Sequence, residues 1–473
     1  MRTCAVIPVY NNADTVADVV SRTLCHLPVI VVADGPTDGT LHVLQSIRDE
    51  RLVIVSYPNN KGKGYALKTG LQKAAESGYT HALTLDADGQ HYPEDIPLLL
   101  RMSAVRPEAI IVGSRVLQQD NMPRENTFAN RFSNFWFTVQ TGLPLPDTQS
   151  GFRVYPLAHT HGIPLMTRRY EAELQLLVFS AWANTPVIPV PVRVWYPPQD
   201  QRVSFFRPAR DFARISLLNT LLCCLALIYG LPRCQWRTVY YGLLFLLFAL
   251  WTNIVRCFYS LFFPKKTSVV LRKSLKRGSR VFLNSFPGAR FRVCYAPSAE
   301  PADGQPCVYI GNHTSLLDVL AVLSLDERIV LIGKDWVLHN IFFGRVAQAM
   351  GVIAAGEGIE NMVPVIKQYT DRGFSVAVFP EGTRSLYGEI GRFHRGAFYL
   401  AQELHLPIRP LLLEGFVRAL QKSPFHAGAE SELRITVMPI VPPEDTSFGT
   451  TYQERTRMFR RYYKQLMDHS HND

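Results

Sequence analysis

The sequence predicts two α/β domains that are joined by an apolar, membrane-associated helical segment. Between residues 1 and about 200, and again from about 300 onward, short β-branched apolar runs alternate with helical patterns. Such alternation indicates a mostly parallel sheet that is covered by helices. Residues 212–263, between the two regions, contain two runs that are nearly free of charge. In a chain of 473 residues we therefore expect an α/β domain at 1–210, membrane-associated helices at 211–264, a basic linker at 265–299 and a second α/β domain at 300–473.

Five strands are predicted in the first region, because five apolar runs of strand length end in polar or turn-forming residues. The runs are TCAVIPV, PVIVVAD, RLVIVSY, HALTLDAD and AIIVGSR. GYALKTGLQKAAESG carries its apolar side chains on one stripe and predicts a helix. Ligands of such sheets bind beyond the carboxyl ends of the strands. The polar residues at those ends should therefore converge on one cleft; they are Asn11, Asp34, Asp86, Asp88 and Arg115.

The apolar runs of the joining segment cover residues 216–231 and 238–255, close to the length of about 20 residues that a membrane-spanning helix needs. The following stretch, 265–292, holds nine Lys and Arg residues and no acid. A basic stretch beside an apolar segment predicts binding to an anionic membrane surface, on its cytoplasmic side. The short link between the runs is basic too, which disfavours a crossing by two helices. A re-entrant hairpin, interfacial helices and two buried core helices remain open.

The second region predicts six strands, in the runs PCVYIGNH, RIVLIGK, MGVIAA, SVAVFPEG, PIRPLLLEG and ELRITVMP. The formal net charge of the chain is +11. Its basic residues cluster beside the apolar segment rather than across an aromatic-studded sheet, so we expect no nucleic-acid partner. The eight cysteines show no CxxC spacing. Zinc is therefore not expected, and reduced thiols suit a cytosolic environment.

Two carboxylates that lie two residues apart follow the apolar strand in LDADGQH, residues 85–91. Carboxylates at a strand end are suitable ligands for a hard divalent cation. Such a cation would bridge the two phosphates of a nucleotide and neutralise charge on the leaving group. Gln90 offers a neutral oxygen at the same spacing again. The candidate ligands of Mg²⁺ or Mn²⁺ are therefore Asp86, Asp88 and Gln90.

Six motifs follow one another between residues 7 and 155: IPVYNN, VVADGPTDGT, NKGKGYALKTG, LDADGQH, VGSR and DTQSGFRVY. Their order resembles the family 2 glycosyltransferases with a GT-A fold. It is most similar to the branch that includes dolichyl-phosphate mannosyltransferase and bacterial polyprenyl-phosphate sugar transferases. The resemblance implies a nucleotide-sugar donor and a divalent metal. One motif differs, because the family commonly has two acids before the glycine of the second motif, where this chain has Ala33 and Asp34.

The resemblance also implies roles for single residues. The nucleotide sugar would be bound by Pro8, Asn11, Asp34, Lys63 and Asp86, with Asp34 at the base or ribose. Arg115, whose planar fork matches a phosphate, would face the phosphate of the acceptor together with Arg131 or Ser133. Asp147 or a carboxylate of YEAE, residues 170–173, is a candidate base. A lipid-phosphate acceptor would need no base.

A second set of reactive residue types lies in GNHTSLLD, residues 311–318, where four residues separate His313 from Asp318. Five steps along a helix turn through about 500°. The two side chains can therefore meet only if His313 lies in a loop and Asp318 in the first turn of the next helix. Acyl transfer from a thioester requires the attacking hydroxyl to lose its proton, which a neutral imidazole can accept. The acid would orient the ring and stabilise the imidazolium, as in hydrolase triads.

The motifs NHTSLLD, FPEGTRS and LPIRPLLLEG, over about residues 300–440, resemble the glycerolipid acyltransferases of the lysophosphatidic acid acyltransferase family. The resemblance implies that the acceptor head group is bound by Glu381, Gly382, Thr383 and Arg384. The second motif of that family usually ends in an Arg after a Gly-x-Ile run, whereas this chain has GVIAAGEG at 351–358. If that Arg helps to hold glycerol phosphate, the acceptor here is not a plain lysophospholipid.

The two sets together predict a bifunctional transferase at the cytoplasmic face of the inner membrane. One domain would transfer a sugar from a nucleotide sugar to a lipid-type acceptor. The other would transfer an acyl group from acyl-CoA or acyl carrier protein to a hydroxyl of a lipid or glycolipid. Both donors are cytosolic, which disfavours a single crossing between the domains. Two alternatives are open: a degenerate, lipid-binding acyltransferase domain beside an active glycosyltransferase, or a non-enzymatic membrane adaptor.

Overall fold

The computed structural model describes residues 1–115, 124–160, 162–164, 167–195, 208–285, 289–299, 304–355, 358–385, 388–420, 422, 427–428 and 432–470. The chain divides into two compact units, Met1–Trp236 and Arg237–Asp473. Each unit contains one seven-stranded sheet. The predicted fold class, two α/β domains with an apolar helical segment between them, is confirmed.

The sheet of the first unit is built from β1 Thr3–Val9, β2 Val29–Asp34, β3 Leu52–Tyr57, β4 His81–Thr84, β5 Ile110–Arg115, β6 Arg153–Pro156 and β7 Val187–Val192. Its order is β3-β2-β1-β4-β6-β5-β7. Only β6 runs antiparallel, to both β4 and β5. β2 and β4 are buried along their whole length, as central strands covered on both faces should be.

The helices of this unit begin at the places that the sequence marks as turns. They are α1 Val16–Leu24, α2 Thr40–Ser46, α3 Lys63–Glu76, α4 Ile96–Val105, α5 Arg124–Thr141, α6 Leu157–Thr160, α7 Glu171–Trp182 and α8 Pro208–Leu225. The five predicted strands and the helix predicted from GYALKTGLQKAAESG are confirmed as β1–β5 and α3. β6 and β7 were not predicted. β7 reads VIPVPV, and its two prolines fit only an edge strand.

The apolar joining segment is one continuous helical stretch rather than a hairpin. A π-helical turn, Ala226–Gly230, connects α8 to α9 Leu231–Phe262. Residues Arg214–Phe262 are long and apolar enough to cross a membrane, and only 28% of their most apolar window is buried. A buried core helix would bury most of that window, so the core-helix alternative does not fit.

The sheet of the second unit contains β8 Arg290–Tyr295, β9 Val308–Gly311, β10 Ile329–Gly333, β11 Ile353–Ala354, β12 Ser375–Val378, β13 Ile408–Glu414 and β14 Glu432–Val437. Its order is β11-β10-β12-β9-β13-β14-β8, with β13 and β14 antiparallel and the other pairs parallel. The six predicted strands are confirmed as β9–β14.

The helices of the second unit are α10 Thr267–Asn284, α11 Leu317–Leu323, α12 Gly344–Ala349, α13 Ile359–Thr370, α14 Gly396–Glu403, α15 Phe416–Ala419 and α16 Tyr452–Ser470. The structure therefore differs from the linker that we expected over 265–299. In that range α10 packs Leu271 and Leu275 into the core of the second unit, and β8 pairs with β14. We did not predict α10 because its many basic residues leave few apolar positions. Those apolar positions nevertheless have the spacing of an amphipathic helix.

Arg272, one of the nine basic residues expected at the membrane surface, is instead buried. Its guanidinium donates to the carbonyl oxygen of Ile329 at 3.0 Å and to that of Met350. The group also lies over the Phe374 ring, 4.7 Å from the centroid. Burial lowers the pKa of Arg272. This arginine therefore ties α10 to the sheet instead of serving lipid binding.

Replacing Arg272 with alanine is expected to lower the free energy of unfolding of the second unit by about 2–3 kcal/mol, because two buried carbonyl oxygens lose their donor. Calorimetry of the full chain would measure this change. Lys273→Ala is the matched control, since Lys273 is the exposed neighbour on the same helix and should change stability by less than about 0.5 kcal/mol. Equal effects of the two substitutions would contradict the structural role of Arg272.

Candidate active sites

The first candidate site is built around the ammonium group of Lys63, at the first residue of α3. Its Nζ lies 2.7 Å from Oδ1 of Asp86 and 3.1 Å from Oε2 of Glu173. Burial lowers the pKa of Lys63, but the two carboxylates raise it by more, so the group stays charged. Asp86 follows β4 and Glu173 lies in the first turn of α7. The lysine thus connects the LDAD motif to the YEAE stretch.

Asp88 lies beside this pair, in surroundings that disfavour the ionised form of its carboxyl group. Burial, and then the charge of Asp86, raise the pKa of Asp88 to about 6. Burial also raises the pKa of Asp86, but Lys63 lowers it by more. Oδ1 of Asp88 accepts a hydrogen bond from the N–H of Gln90 at 3.0 Å. Two neighbouring carboxylates that repel each other form a place where a cation is favourable.

The donor set fits a small divalent ion. In the part of the chain that the structure describes, no group of three or more His, Cys, Asp and Glu side chains could hold a metal. The predicted ligands Asp86, Asp88 and Gln90 offer two carboxylates and one amide, and Oδ1 of Asp86 is paired with Lys63. Mg²⁺ is commonly held by one or two carboxylates, with water and substrate phosphates as its other ligands. An ion held by these residues would take its remaining ligands from water and the substrate phosphates.

Gly151 of the DTQSGF motif touches the carboxylate of Asp86. A Cβ atom at Gly151 would lie 2.5 and 2.9 Å from the two carboxylate oxygens of Asp86. The carbonyl oxygen of Gly151 also accepts a hydrogen bond from the hydroxyl of Thr84 at 2.7 Å. Only glycine therefore allows these two motifs to approach each other.

Arg115, at the end of β5, forms a two-pronged ion pair with Asp147. Its Nε lies 2.6 Å from Oδ2 and its Nη2 lies 2.9 Å from Oδ1. Asp147 is fully buried and also accepts hydrogen bonds from Asn130 and from backbone N–H groups of the loop 147–150. Burial raises the pKa of Asp147, but the Arg115 guanidinium lowers it by more. Both oxygens of Asp147 are thus occupied by donors.

Ser133 and Arg131, the other residues expected at the acceptor, lie on α5 next to this loop. The Ser133 hydroxyl is buried and accepts a hydrogen bond from the Thr148 hydroxyl at 2.7 Å. Arg131 is exposed and follows Asn130, which bonds to Asp147 at 2.9 Å. Arg115 and Ser133 therefore both contact the loop 147–150, whereas Arg131 is placed only on the same helix as Ser133.

The predicted nucleotide residues occupy the ends of β1 and β2. Pro8 is half-buried in β1. Oδ1 of Asn11 accepts a hydrogen bond from the N–H of Thr37 at 2.8 Å. Asp34 is buried, and its two oxygens accept the N–H groups of Lys61 and Gly62 at 2.7 and 2.8 Å. Asp34 therefore fixes the loop that leads into Lys63.

His91 belongs to this site but was not predicted. It is buried, and its Nδ1 has no hydrogen-bond partner among the described residues. Burial lowers the pKa of His91 to about 4, and the charges of Asp86, Arg115 and Asp147 also act on it. Its ring packs against Phe152 at 5.3 Å. A neutral imidazole therefore faces the charged groups from LDAD, VGSR and DTQSGF at once.

The second candidate site contains the predicted pair of His313 and Asp318. His313 lies in the loop after β9, and Asp318 is in the first turn of α11. Nδ1 of His313 lies 2.9 Å from Oδ2 of Asp318, which is fully buried and also accepts the N–H groups of Thr314 and Ser315. The arrangement inferred from the spacing is the one that the structure shows.

The imidazole of His313 is held from two further directions. Its ring stacks on Phe379 with a centroid distance of 4.3 Å and an interplanar angle of 19°. Its backbone N–H donates to Oε1 of Glu381 at 2.9 Å, and the second oxygen of Glu381 accepts the N–H of Gly391 at 3.0 Å. Burial raises the pKa of Glu381, which is only 5% exposed. Glu381 thus connects the loop of His313 to the loop of Gly391 through two hydrogen bonds.

Gly382 and Thr383 of the FPEGTRS motif are exposed, and Arg384 is half-buried. Gly382 has φ +65°, a left-handed conformation that favours glycine. Nη1 of Arg384 is buried and has no hydrogen-bond partner among the described residues. Lys422, which was not predicted, donates to the Thr383 hydroxyl and to the carbonyl oxygen of Arg384, both at 3.0 Å. Burial and the charges of Arg384 and Lys334 lower the pKa of Lys422. Arg384, Lys422 and Lys334 therefore form a group of three cations beside the FPEGTRS motif.

Comparison with known proteins gives one match to each half of the chain. The family model of glycosyl transferase family 2 matches residues 4–158, and the acyltransferase family model matches residues 293–414. A UDP-N-acetylglucosamine–dolichyl-phosphate N-acetylglucosaminyltransferase of Methanococcus voltae is 28% identical over 212 residues, 40% of this chain and 84% of that protein.

The chloroplastic 1-acyl-sn-glycerol-3-phosphate acyltransferase BAT2 of Brassica napus is 35% identical over 119 residues, 24% of this chain and 35% of that protein. This chain therefore spans about a third of the length of that relative. The crystal structure of the 1-acyl-sn-glycerophosphate acyltransferase PlsC from Thermotoga maritima aligns with 49% of this chain and 97% of that one, with 18% identity and a TM-score of 0.39. The N-terminal domain thus contains a region that matches the glycosyl transferase family 2 model, and the C-terminal domain contains one that matches the acyltransferase model.

Proposed function

We propose that the chain is a bifunctional, membrane-associated transferase that glycosylates one lipid acceptor and acylates a hydroxyl of a lipid or glycolipid. The observation that carries the proposal is that His313 and Asp318 form an intact pair at 2.9 Å in a chain whose other domain keeps Asp86 and Asp88 side by side. Each domain thus keeps reactive groups of the kind that its proposed reaction needs. A degenerate second domain or a purely structural adaptor would have no need of either.

In the first domain, the chain's own residues would bind and orient the two substrates. Asp86, Asp88 and Gln90 would hold a Mg²⁺ or Mn²⁺ ion, which supplies positive charge to the phosphates of the leaving nucleotide. Arg115 is fixed by Asp147 and would direct the positive charge of its guanidinium to the phosphate of a polyprenyl-type acceptor. Because Asp147 is fully engaged, we assign it to positioning Arg115. A phosphate nucleophile then needs no base.

Replacing Gly151 with alanine is expected to lower kcat/KM for sugar transfer on the order of 10²-fold, because the new methyl group would displace the Asp86 carboxylate. A radiolabelled nucleotide-sugar assay would measure it. Gly162→Ala is the matched control, since a Cβ at Gly162 meets no atom within 4 Å. Unchanged sugar transfer in Gly151→Ala would remove Asp86 from the site.

In the second domain, His313 would act as the general base. With Nδ1–H donating to Asp318, the lone pair of Nε2 is left to accept the proton of the acceptor hydroxyl. The hydroxyl oxygen then attacks the thioester carbonyl, and the C–S bond breaks as the C–O bond forms. The imidazolium returns its proton to the departing thiolate. Arg384 and Lys422 would hold the phosphate of the acceptor head group, where the unpartnered Arg384 N–H gains an oxygen.

Glu381→Gln is expected to lower kcat for acyl transfer roughly 10-fold or more and to cost about 1–3 kcal/mol of stability, because an amide nitrogen would face a backbone N–H. We therefore assign Glu381 to positioning His313 rather than to the acceptor head group. Steady-state kinetics and thermal unfolding check both effects. The control is Glu389→Gln, an exposed carboxylate nearby in the chain. A change in acceptor KM alone would instead place Glu381 at the head group.

The apolar joining segment would hold the chain at the membrane. Its large side chains are exposed, with Leu227 73%, Ile228 82% and Leu261 75% accessible. Exposed apolar surface of this extent marks a membrane or protein contact. Because nucleotide sugars and acyl thioesters are made in the cytosol, we propose that both domains work at the cytoplasmic face of the inner membrane.

The proposal is tested by supplying the purified chain with a nucleotide sugar, an acyl donor and a bacterial lipid extract. Mass spectrometry is expected to find a lipid that gains both one sugar and one acyl chain. Omitting either donor should leave only the singly modified lipid. Two separate products that never share a molecule would show that the domains act on different acceptors. No product with either donor would overturn the proposal.

A further inference from the structure

A second basic site lies in the second unit, apart from the three cations Arg384, Lys422 and Lys334 beside the FPEGTRS motif. A cavity of about 480 Å³ opens between the loop 392–395 and the first turns of α16. Four arginines line it: Arg392, Arg395, Arg457 and Arg460. His394 and Thr456 complete the wall. Among the residues that the structure describes, no acidic side chain lines the cavity.

The charges of these arginines are not neutralised within the unit. In the described part of the chain, none of the four lies within 4.0 Å of a carboxylate. Only Arg460 has a fixed protein partner, since its Nε donates to the carbonyl oxygen of Gly391 at 2.9 Å. Gathering four like charges costs free energy, which an anion with several charges would recover.

The cavity shares a wall with the active site. Glu381 accepts the N–H of Gly391 with one oxygen and the N–H of His313 with the other. The N–H of His394 donates to the carbonyl oxygen of Pro380 at 2.7 Å, and its ring lies 3.3 Å from the position of a Cβ at Gly382. A ligand in the cavity would therefore lie next to the FPEGTRS motif without occupying the place of the reacting hydroxyl.

We propose that this cavity binds the phosphate end of a phosphopantetheine thioester, the acyl donor. This inference rests on the proposed acyl transfer. The reaction brings two phosphorylated substrates together, and Arg384 and Lys422 already serve the acceptor. The four arginines thus remain for the donor, whose phosphate lies far from its thioester along a narrow arm. A cavity of several hundred Å³ suits a small phosphorylated group rather than a flat lipid surface.

The test replaces Arg392 and Arg457 together with glutamine in the full chain. KM for acyl-CoA is expected to rise roughly tenfold, because two charge-assisted contacts are lost. KM for the lipid acceptor and binding to anionic vesicles should not change. KM for an acyl-pantetheine, which lacks the phosphate, should be the same in the variant and the wild type. Arg461→Gln is the control, since Arg461 is an exposed neighbour on α16 outside the cavity.

Two donors separate the sources of the phosphate. If KM rises for both acyl-CoA and acyl carrier protein, the shared phosphopantetheine phosphate is bound. If it rises for acyl-CoA alone, the nucleotide phosphates are bound. Either result supports the donor site. Equal losses with acyl-pantetheine and acyl-CoA, or a loss confined to the acceptor or to vesicle binding, would overturn it.

Binding of CoA itself to His313→Ala protein separates this inference from the proposed function. Binding of CoA does not require catalysis, so His313→Ala protein can be used. Calorimetry should show a roughly tenfold higher Kd for CoA when Arg392 and Arg457 are also replaced in this variant. An inactive enzyme that still shows this difference retains the donor site. If the enzyme is active but its affinity for CoA does not change when the two arginines are replaced, the cavity is not the donor site.

Discussion

Replacing His313 with alanine is expected to reduce kcat for acyl transfer roughly 10²- to 10⁴-fold, the range that a positioned general base contributes. Sugar transfer by the same molecules should keep its wild-type rate, because none of its groups lies in the second unit. The loss follows from the geometry, since no other described side chain is paired with Asp318. A thiol-release assay with an acyl-CoA, run beside a nucleotide-sugar assay, measures both.

His339→Ala is the matched control for this substitution. His339 also pairs with an aspartate through Nδ1, at 3.2 Å from Asp335, but both side chains are about two-thirds exposed or more. It should leave acyl transfer unchanged. Asp318→Asn should cost less than His313→Ala, since an amide oxygen can still accept the neighbouring N–H groups but loses the charge that stabilises the imidazolium. Full acyl transfer in His313→Ala would end the general-base proposal.

Replacing Asp88 with asparagine is expected to lower kcat for sugar transfer roughly 10²- to 10³-fold, with acyl transfer unchanged. Asparagine keeps the size of the side chain and can accept the Gln90 N–H, so the loop should persist. It removes the negative charge that would hold a divalent ion. Titration with Mn²⁺ and a nucleoside diphosphate should raise the melting temperature of the wild type and have little effect on the variant.

Asp14→Asn controls for a general loss of negative charge, because Asp14 is exposed and lines the same cavity of about 410 Å³ as Asp88. Its sugar transfer and its metal-dependent stabilisation should match those of the wild type. If chelation of divalent ions leaves sugar transfer intact, Asp88 has another role. If Asp88→Asn retains both activity and stabilisation, the metal ligands lie elsewhere.

The sequence was sufficient for most strands of both sheets, the edge strands β3 and β11 included, but not for β6, β7 and β8. β1–β5 and β9–β14 are central or regular strands, and their apolar runs end at polar turns. β7 lies at an edge and contains two prolines, while β8 lies inside a stretch dominated by positive charge. The same basic residues prevented the prediction of α10. The burial of Arg272 in particular depends on the carbonyl oxygens of Ile329 and Met350, which are distant in the chain. Composition cannot distinguish a buried arginine from one that meets lipid.

Among the reactive residues, contacts between residues near in sequence could be predicted, whereas contacts made by the tertiary fold could not. The geometry of His313 and Asp318 could be inferred because both belong to one loop and helix turn. Lys422 could not, since it reaches Arg384 only through the tertiary fold. Glu173 belongs to the YEAE stretch that was a candidate for the base, but its ion pair with Lys63 could not be inferred from the sequence. His91 was within the quoted LDADGQH motif, yet nothing in the spacing showed that it would be buried among charges from three other motifs.

The stacking of His313 on Phe379 has a consequence for the temperature dependence of acyl transfer. With Asp318 at Nδ1 and the phenyl ring against one face, the imidazole has one orientation before any substrate arrives. The rotational entropy of that side chain is therefore lost when the domain folds, not when the acceptor binds. The entropy of activation should then reflect the ordering of the two substrates, with little contribution from the base that joins them.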